Sequence, residues 1–159
     1  IRPFKGIRIA VPYGVSFEKA EEVAYQKAGW LKKHVAKIGV MEKEGETLRK
    51  NNHIDRKKAR EQLINRLNEL SAKHGFRYHK VFIRNQKTRW GSCSGKNNIN
   101  LNVNLVRLPE DLIDYTILHE LVHTRVKDHS KRFWDELEKF VKNAKEQDKR
   151  LNQYRVLLI

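Results

Sequence analysis

Between Leu112 and His123 the chain is apolar almost all the way round a helix, and this constrains its fold more than any other stretch. Counted from Leu112 at about 100° per residue, Ile113, Ile117, Leu118, Leu121 and Val122 cover one broad arc, while Leu112, Thr116, His119 and His123 share the remaining sector. Such a helix is buried on most sides, so other elements must pack round it. Its polar stripe then needs partners, because a buried polar group left unpaired costs about 1–3 kcal/mol. A metal ion is one such partner. His119-Glu-Leu-Val-His123 is an H-E-x-x-H sequence, and residues four apart lie on one helix face with β-carbons about 5–6 Å apart, so both imidazoles can reach one ion. Zinc suits that geometry. Glu120, about 100° round from His119, falls beside a water held at the ion and off the ion itself, where it can act as a base. The rival reading is a pair of core histidines satisfied by backbone carbonyls.

Two histidines leave a catalytic zinc incomplete, since such sites take three protein ligands and keep one position for water. His129 is the leading third candidate. Six residues beyond His123 is about 240° further round the same helix, so the helix must stop and the chain turn back. Ser130 reads as the N-cap of a following helix with Phe133, Leu137, Phe140, Val141 and Ala144 on one side, which sets His129 at the turn before it. Glu136 or Glu138 is the alternative third ligand, with His129 then an exposed loop residue. His34, His53, His74 and His79 read as capping or surface histidines.

Arg89-Trp-Gly-Ser-Cys-Ser94, Asn98-Ile-Asn-Leu-Asn102, Pro109, His119-Glu-Leu-Val-His123 and Asp128-His-Ser-Lys-Arg-Phe-Trp134 follow one another in an order and spacing that resembles the YgjP-like zinc metallopeptidases. The likeness is strong over residues 77–141. It implies a zincin-like α+β fold with a small sheet packed on the metal-binding helix, zinc on His119, His123 and His129, and Glu120 as the catalytic carboxylate. It also implies that Arg89, Trp90, Gly91 and Ser92 lie on or near a strand edge that binds an extended peptide. Without the resemblance, a Trp-Gly pair reads more simply as core plus a tight bend.

Along the chain, Gly6 to Val11 alternates as a strand closed by Pro12 and Gly14, and Ser16 starts a helix with Phe17, Ala20, Ala24, Ala28, Leu31, Val35 and Ile38 on one face. Gly29 is a possible break in it. Residues 42–52 read as polar loop. From Ile54 a basic helix shows a narrow stripe of Ala59, Leu63, Leu67 and Leu70, ended by Gly75. Lys80–Arg84 and Ile99–Leu105 read as strands, the second with its asparagines on the polar face. Pro109 opens the metal helix. We expect one domain over 1–159, with the strand and helices of 1–75 preceding a zinc-binding half over 76–159.

The 159 residues carry 34 Lys and Arg against 19 acids, a net charge of +15 that would favour a polyanion. The excess is spread evenly, and only Arg56-Lys-Lys-Ala-Arg60 is dense. The single Cys93 excludes an internal disulfide and fits a reducing compartment, so the expected location is the cytoplasm, and no membrane span is visible.

Three functions fit. The first is a peptidase with one zinc per chain, acting on a peptide or protein, with Arg89 or Tyr154 as candidate oxyanion partners. The second is a nucleotide pyrophosphatase using the same site. The third is a basic nucleic-acid-binding module in which Cys93 closes a structural His₃Cys zinc.

Overall fold

A computed structural model describes residues 7, 9–50 and 54–158 of the chain. It divides into two compact units, residues 1–50 and 51–159.

The first unit holds α1 (Phe17–Gln26) and α2 (Ala28–Lys50). Ser16 caps α1, its hydroxyl accepting from Lys19 N at 3.4 Å. The break between the helices comes at Lys27, and Gly29 sits in the first turn of α2. Two expectations fail here. Ile9 to Val11 form no strand, and Gly6 and Arg8 lie outside the described residues; the Pro12–Gly14 turn is present without a strand to close. Nor are residues 42–50 a loop: α2 runs to Lys50, because Glu, Lys, Leu and Arg are good helix formers whatever their polarity. Residues 51–53 lie outside the described residues, His53 among them.

The second unit contains the core. Helix α3 (Arg56–His74) is capped by Asp55, which accepts from Lys57 N and Lys58 N, and ends at Gly75 with φ 66°, a left-handed turn that glycine adopts without Cβ strain. Its stripe of Ala59, Leu63, Leu67 and Leu70 is buried, as the spacing predicts. Strands β1 (Val81–Arg84), β2 (Gly91–Cys93) and β3 (Ile99–Asn102) form a sheet in the order β1-β3-β2, with β1 parallel and β2 antiparallel to β3. The sheet and α3 pack on α4 (Glu110–Val122), where nine side chains are buried. Arg66 on α3 holds Asp114 on α4 with two hydrogen bonds, Nε to Oδ1 at 2.6 Å and Nη2 to Oδ2 at 2.5 Å. This mixed architecture, helices with one small sheet, is the α+β layout expected.

Strand β3 is shorter than its alternation implies. Asn102 Oδ1 accepts from Asn104 N, which turns Val103–Arg107 into a 3-10 segment. Asn102 is buried rather than solvent-facing. Its amide donates to Gln86 O at 2.6 Å and Arg89 O at 3.0 Å, which pins the segment leading into β2. The last helix is also split. It runs as α5 (Lys131–Glu138) and then, past Asn143 at φ 55°, as α6 (Ala144–Gln153), with a final 3-10 turn at Tyr154–Leu158. Glu138 makes the second start by accepting from Asn143 N and Ala144 N. Among the described residues no helix is long and apolar enough to cross a membrane.

Candidate metal centre

Helix α4 delivers the first two histidines one turn apart and ends at His123. Thr116, in the same polar sector, donates to Leu112 O at 2.8 Å and is satisfied by the backbone. Of the histidines, His123 meets the backbone through Nδ1 at Val126 O, and the Nε2 atoms of His119 and His123 both face a third ring. The chain turns through residues 123–129, Asp128 Oδ1 accepts from Ser130 N, and α5 begins at Lys131, which leaves His129 facing back toward α4. His129 Nε2 lies 3.0 Å from His119 Nε2 and 3.2 Å from His123 Nε2. Phe133 on α5 underlies all three rings, with centroid separations of 4.8, 4.4 and 4.8 Å to His119, His123 and His129.

A metal fits this donor set. Three nitrogens bound to one tetrahedral zinc at about 2.0–2.1 Å stand about 3.3–3.4 Å apart; the two separations to His129 are close to this, and all three ligand atoms lie within 4.8 Å of one another. His123 Nδ1 donates to Val126 O at 2.9 Å, so its Nε2 carries the free lone pair. Burial pushes the His119 pKa down to about 3, with His123 and His129 adding to the shift, and burial also lowers that of His123. Both rings are therefore neutral near pH 7, the form a metal needs. Glu136 pairs with Arg125 and Lys139, and Glu138 caps α6, so neither carboxylate is part of the cluster. Cys93 is also outside it: its Sγ lies 3.7 Å from Lys127 Nζ and donates to Ser94 O. His34 and His74 are likewise elsewhere, His34 bonded to Trp30 O and His74 edge-on to Phe140.

Glu120 is 6% exposed, and its Oε2 has no hydrogen-bond partner. Burial pushes its pKa up to about 8, against the pull of the Arg89 guanidinium. Strand β2 lies directly on it. A Cβ on Gly91 would come 2.6 Å from Glu120 Oε1 and 2.7 Å from its Cγ, so only glycine leaves room for this carboxyl. Trp90 is buried, Arg89 is exposed, and Ser92 accepts from Asn100 through its hydroxyl. Asn102 N bonds Trp90 O and Ser94 N bonds Asn98 O, so by the alternation of an antiparallel ladder the backbone groups of Gly91 and Cys93 point away from β3. No strand pairs with that edge among the described residues. A cleft of about 180 Å³ is lined by Trp90, Gly91, His119, Glu120, Asp148 and Arg155 among others. Tyr154 packs against the core at the start of the last turn.

Phe133, Asn102 and the contact of Gly91 with Glu120 are the functional features that sequence reasoning missed. Phe133 is readable only as one more apolar position, and the others are contacts between distant residues.

A helix presenting H-E-x-x-H beneath a strand edge, with a third histidine turned back to it, has the layout of a metallohydrolase site. The chain belongs to the YgjP-like metallopeptidase family, whose domain matches residues 40–154. It is therefore a metallohydrolase of the peptidase kind. Among solved structures it is similar to the metallopeptidase zymogen jannalysin of Methanocaldococcus jannaschii, at 26% identity and a TM-score of 0.50 over 57% of this chain and 94% of that one. The metallopeptidase zymogen abylysin of Pyrococcus abyssi matches at 29% identity and a TM-score of 0.49, over 56% of this chain and 90% of that one. No curated protein matches the chain.

Proposed function

We propose that the protein is a peptidase in which His119, His123 and His129 hold one zinc and Glu120 is the general base. The observation that carries this reading is the meeting of three imidazole Nε2 atoms next to a buried carboxylate whose Oε2 has no partner. Zinc bound there would supply Lewis acidity and bring the pKa of water toward about 7. Glu120, whose carboxyl lies against Gly91, takes a proton from the attacking water and returns it to the leaving amine nitrogen. Arg89 sets the field at that carboxyl and is the candidate to stabilise the oxyanion. The peptide lies extended along Arg89, Trp90, Gly91 and Ser92, its backbone pairing with the outward groups of β2. The single cysteine fits a reducing compartment, and we assign the enzyme to the cytoplasm.

The charge of +15 favours a second reading, hydrolysis of a nucleotide phosphoanhydride at the same site or contact with nucleic acid over the basic surface. One screen separates the two. Zinc-loaded wild type is assayed on denatured protein, a peptide library and nucleoside triphosphates, with Glu120→Gln as the blank. The variant is expected to keep its metal and to lose peptide hydrolysis by about 10²–10⁴-fold, the range for a positioned general base. Peptide cleavage should vary little with salt, whereas binding of a polyanion by the Lys and Arg excess would weaken steeply. Pyrophosphate release that depends on Glu120, with no peptide cleaved, would overturn the peptidase reading.

A further inference from the structure

The outer nitrogens of the histidines are held in different ways. His123 Nδ1 faces a backbone carbonyl, an acceptor with no second option. His119 Nδ1 faces the Tyr115 hydroxyl at 3.4 Å. A hydroxyl can donate or accept, so Tyr115 alone does not decide which nitrogen of His119 carries the proton. If it donated, Nδ1 would be the bare nitrogen and Nε2–H would point into the cluster, where it would block a metal.

Asp148 on α6 removes that ambiguity. The Tyr115 hydroxyl donates to its Oδ1 at 3.2 Å. The tyrosine proton therefore goes to Asp148, and Oη presents a lone pair to His119 Nδ1–H. Asn152, one turn along α6, donates to Asp148 Oδ2 at 3.2 Å and holds the carboxylate in place. Tyr115 is 1% exposed, so its ring is locked by packing.

The geometry points to Asp148 and Tyr115 as a positioning pair that fixes the proton of His119 on Nδ1 and so prepares its Nε2 for the metal. The inference rests on the three histidines being the ligands and goes beyond it by assigning positioning roles to two residues outside the ligand set, Tyr115 and Asp148. Asp148 acts only through Tyr115.

The test uses the full chain and zinc alone as the probe. Zinc affinity is measured against a competing chelator for wild type, Asp148→Ala, Tyr115→Phe and the double variant, and the ¹⁵N shifts of the His119 ring are read in the metal-free proteins. Each single variant is expected to bind zinc about 10–100-fold more weakly, as for loss of an outer partner of a ligating histidine. The double variant should bind no more weakly than Tyr115→Phe. Metal-free wild type should show His119 protonated on Nδ1, and Asp148→Ala a rise in the Nε2–H form. A wild-type His119 already in the Nε2–H form overturns the inference even if a variant fails to fold. So do unchanged affinity in Asp148→Ala and losses that add in the double variant. Wild type that binds no zinc overturns the metal-centre reading, and this inference with it.

Discussion

Glycine at position 91 and the carboxyl of Glu120 occupy one volume, and the consequences can be measured. In Gly91→Ala the new methyl must displace a buried carboxyl, because β2 is tied to β3 and cannot retreat. We expect metal binding to persist and kcat/KM for peptide to fall by about 10²-fold, as for misplacement of a reacting group by roughly 1 Å. Unchanged activity would mean that Glu120 is not the base or that the strand yields. The titration of the buried groups sets a second expectation, for the metal-free protein. His119 has its pKa lowered from 6.5 to about 3, so the unfolded chain binds more protons between these values and stability falls as pH drops from 6.5 to 3. Glu120 has its pKa raised from 4.5 to about 8, so the folded chain holds the extra proton and stability falls as pH rises from 4.5 to 8. The two slopes offset between 4.5 and 6.5, leaving an alkaline limb from 6.5 to 8 that belongs to Glu120. Urea midpoints of metal-free Glu120→Gln should stay level across that limb while wild type declines; a parallel decline in both would contradict the assignment. At this scale the clustering of the histidines was legible, because helix periodicity puts His119 and His123 on one face and a helix starting after Ser130 brings His129 back to them, although the Ser130 side chain makes no cap hydrogen bond. The fit of Gly91 against Glu120 was not, since no local pattern brings a strand residue to a helix residue.

Short elements carry the site, and side-chain hydrogen bonds set two of their ends, at Asn102 and before α6. Asn102 ends β3, opens the 3-10 segment and donates to Gln86 O and Arg89 O, so a single buried amide orders the approach to β2. Asn102→Ala leaves those carbonyls and Asn104 N without this partner, and should destabilise by at least about 1–3 kcal/mol in urea unfolding, the cost of one buried polar group left unpaired. Peptide hydrolysis should fall as well, because the Arg89 carbonyl loses its anchor; wild-type stability would show that water replaces the amide. The alternation of Ile99, Leu101, Val103 and Leu105 was legible as a strand, yet the chain leaves the sheet at Asn102 because a side-chain oxygen competes for the next amide. A similar competition splits the C-terminal helix. Glu138 reaches forward to Asn143 N and Ala144 N, and α6, which carries Asp148 to Tyr115, starts there. Periodicity alone ran Phe133 through Ala144 together. In α2 the error was of the opposite kind, polarity being read as loop where helix propensity prevails.

Across the whole molecule, every fully buried side chain among the described residues belongs to the unit over 51–159, which also contains the histidine cluster and the free edge of β2. The α+β class was legible because strand, turn and helix signals alternate clearly after residue 54. The first unit was harder to read, since its expected apolar face, with Phe17 and Val35 exposed, is nowhere fully buried among the described residues. The charge of +15 says nothing of the fold and bears only on partners. In the proposed function the buried helix, the turn at residues 123–129 and the strand over Glu120 converge on one ion held by the histidine cluster. Metal content and X-ray absorption of the zinc-loaded chain test this most directly, compared across wild type, His129→Ala, Glu136→Ala and Cys93→Ser. The account predicts one zinc per chain with three nitrogen neighbours and one oxygen at about 2.0–2.1 Å, lost in His129→Ala and kept in the other two variants. A sulfur neighbour that disappears in Cys93→Ser, or zinc lost from Glu136→Ala and retained by His129→Ala, would contradict it.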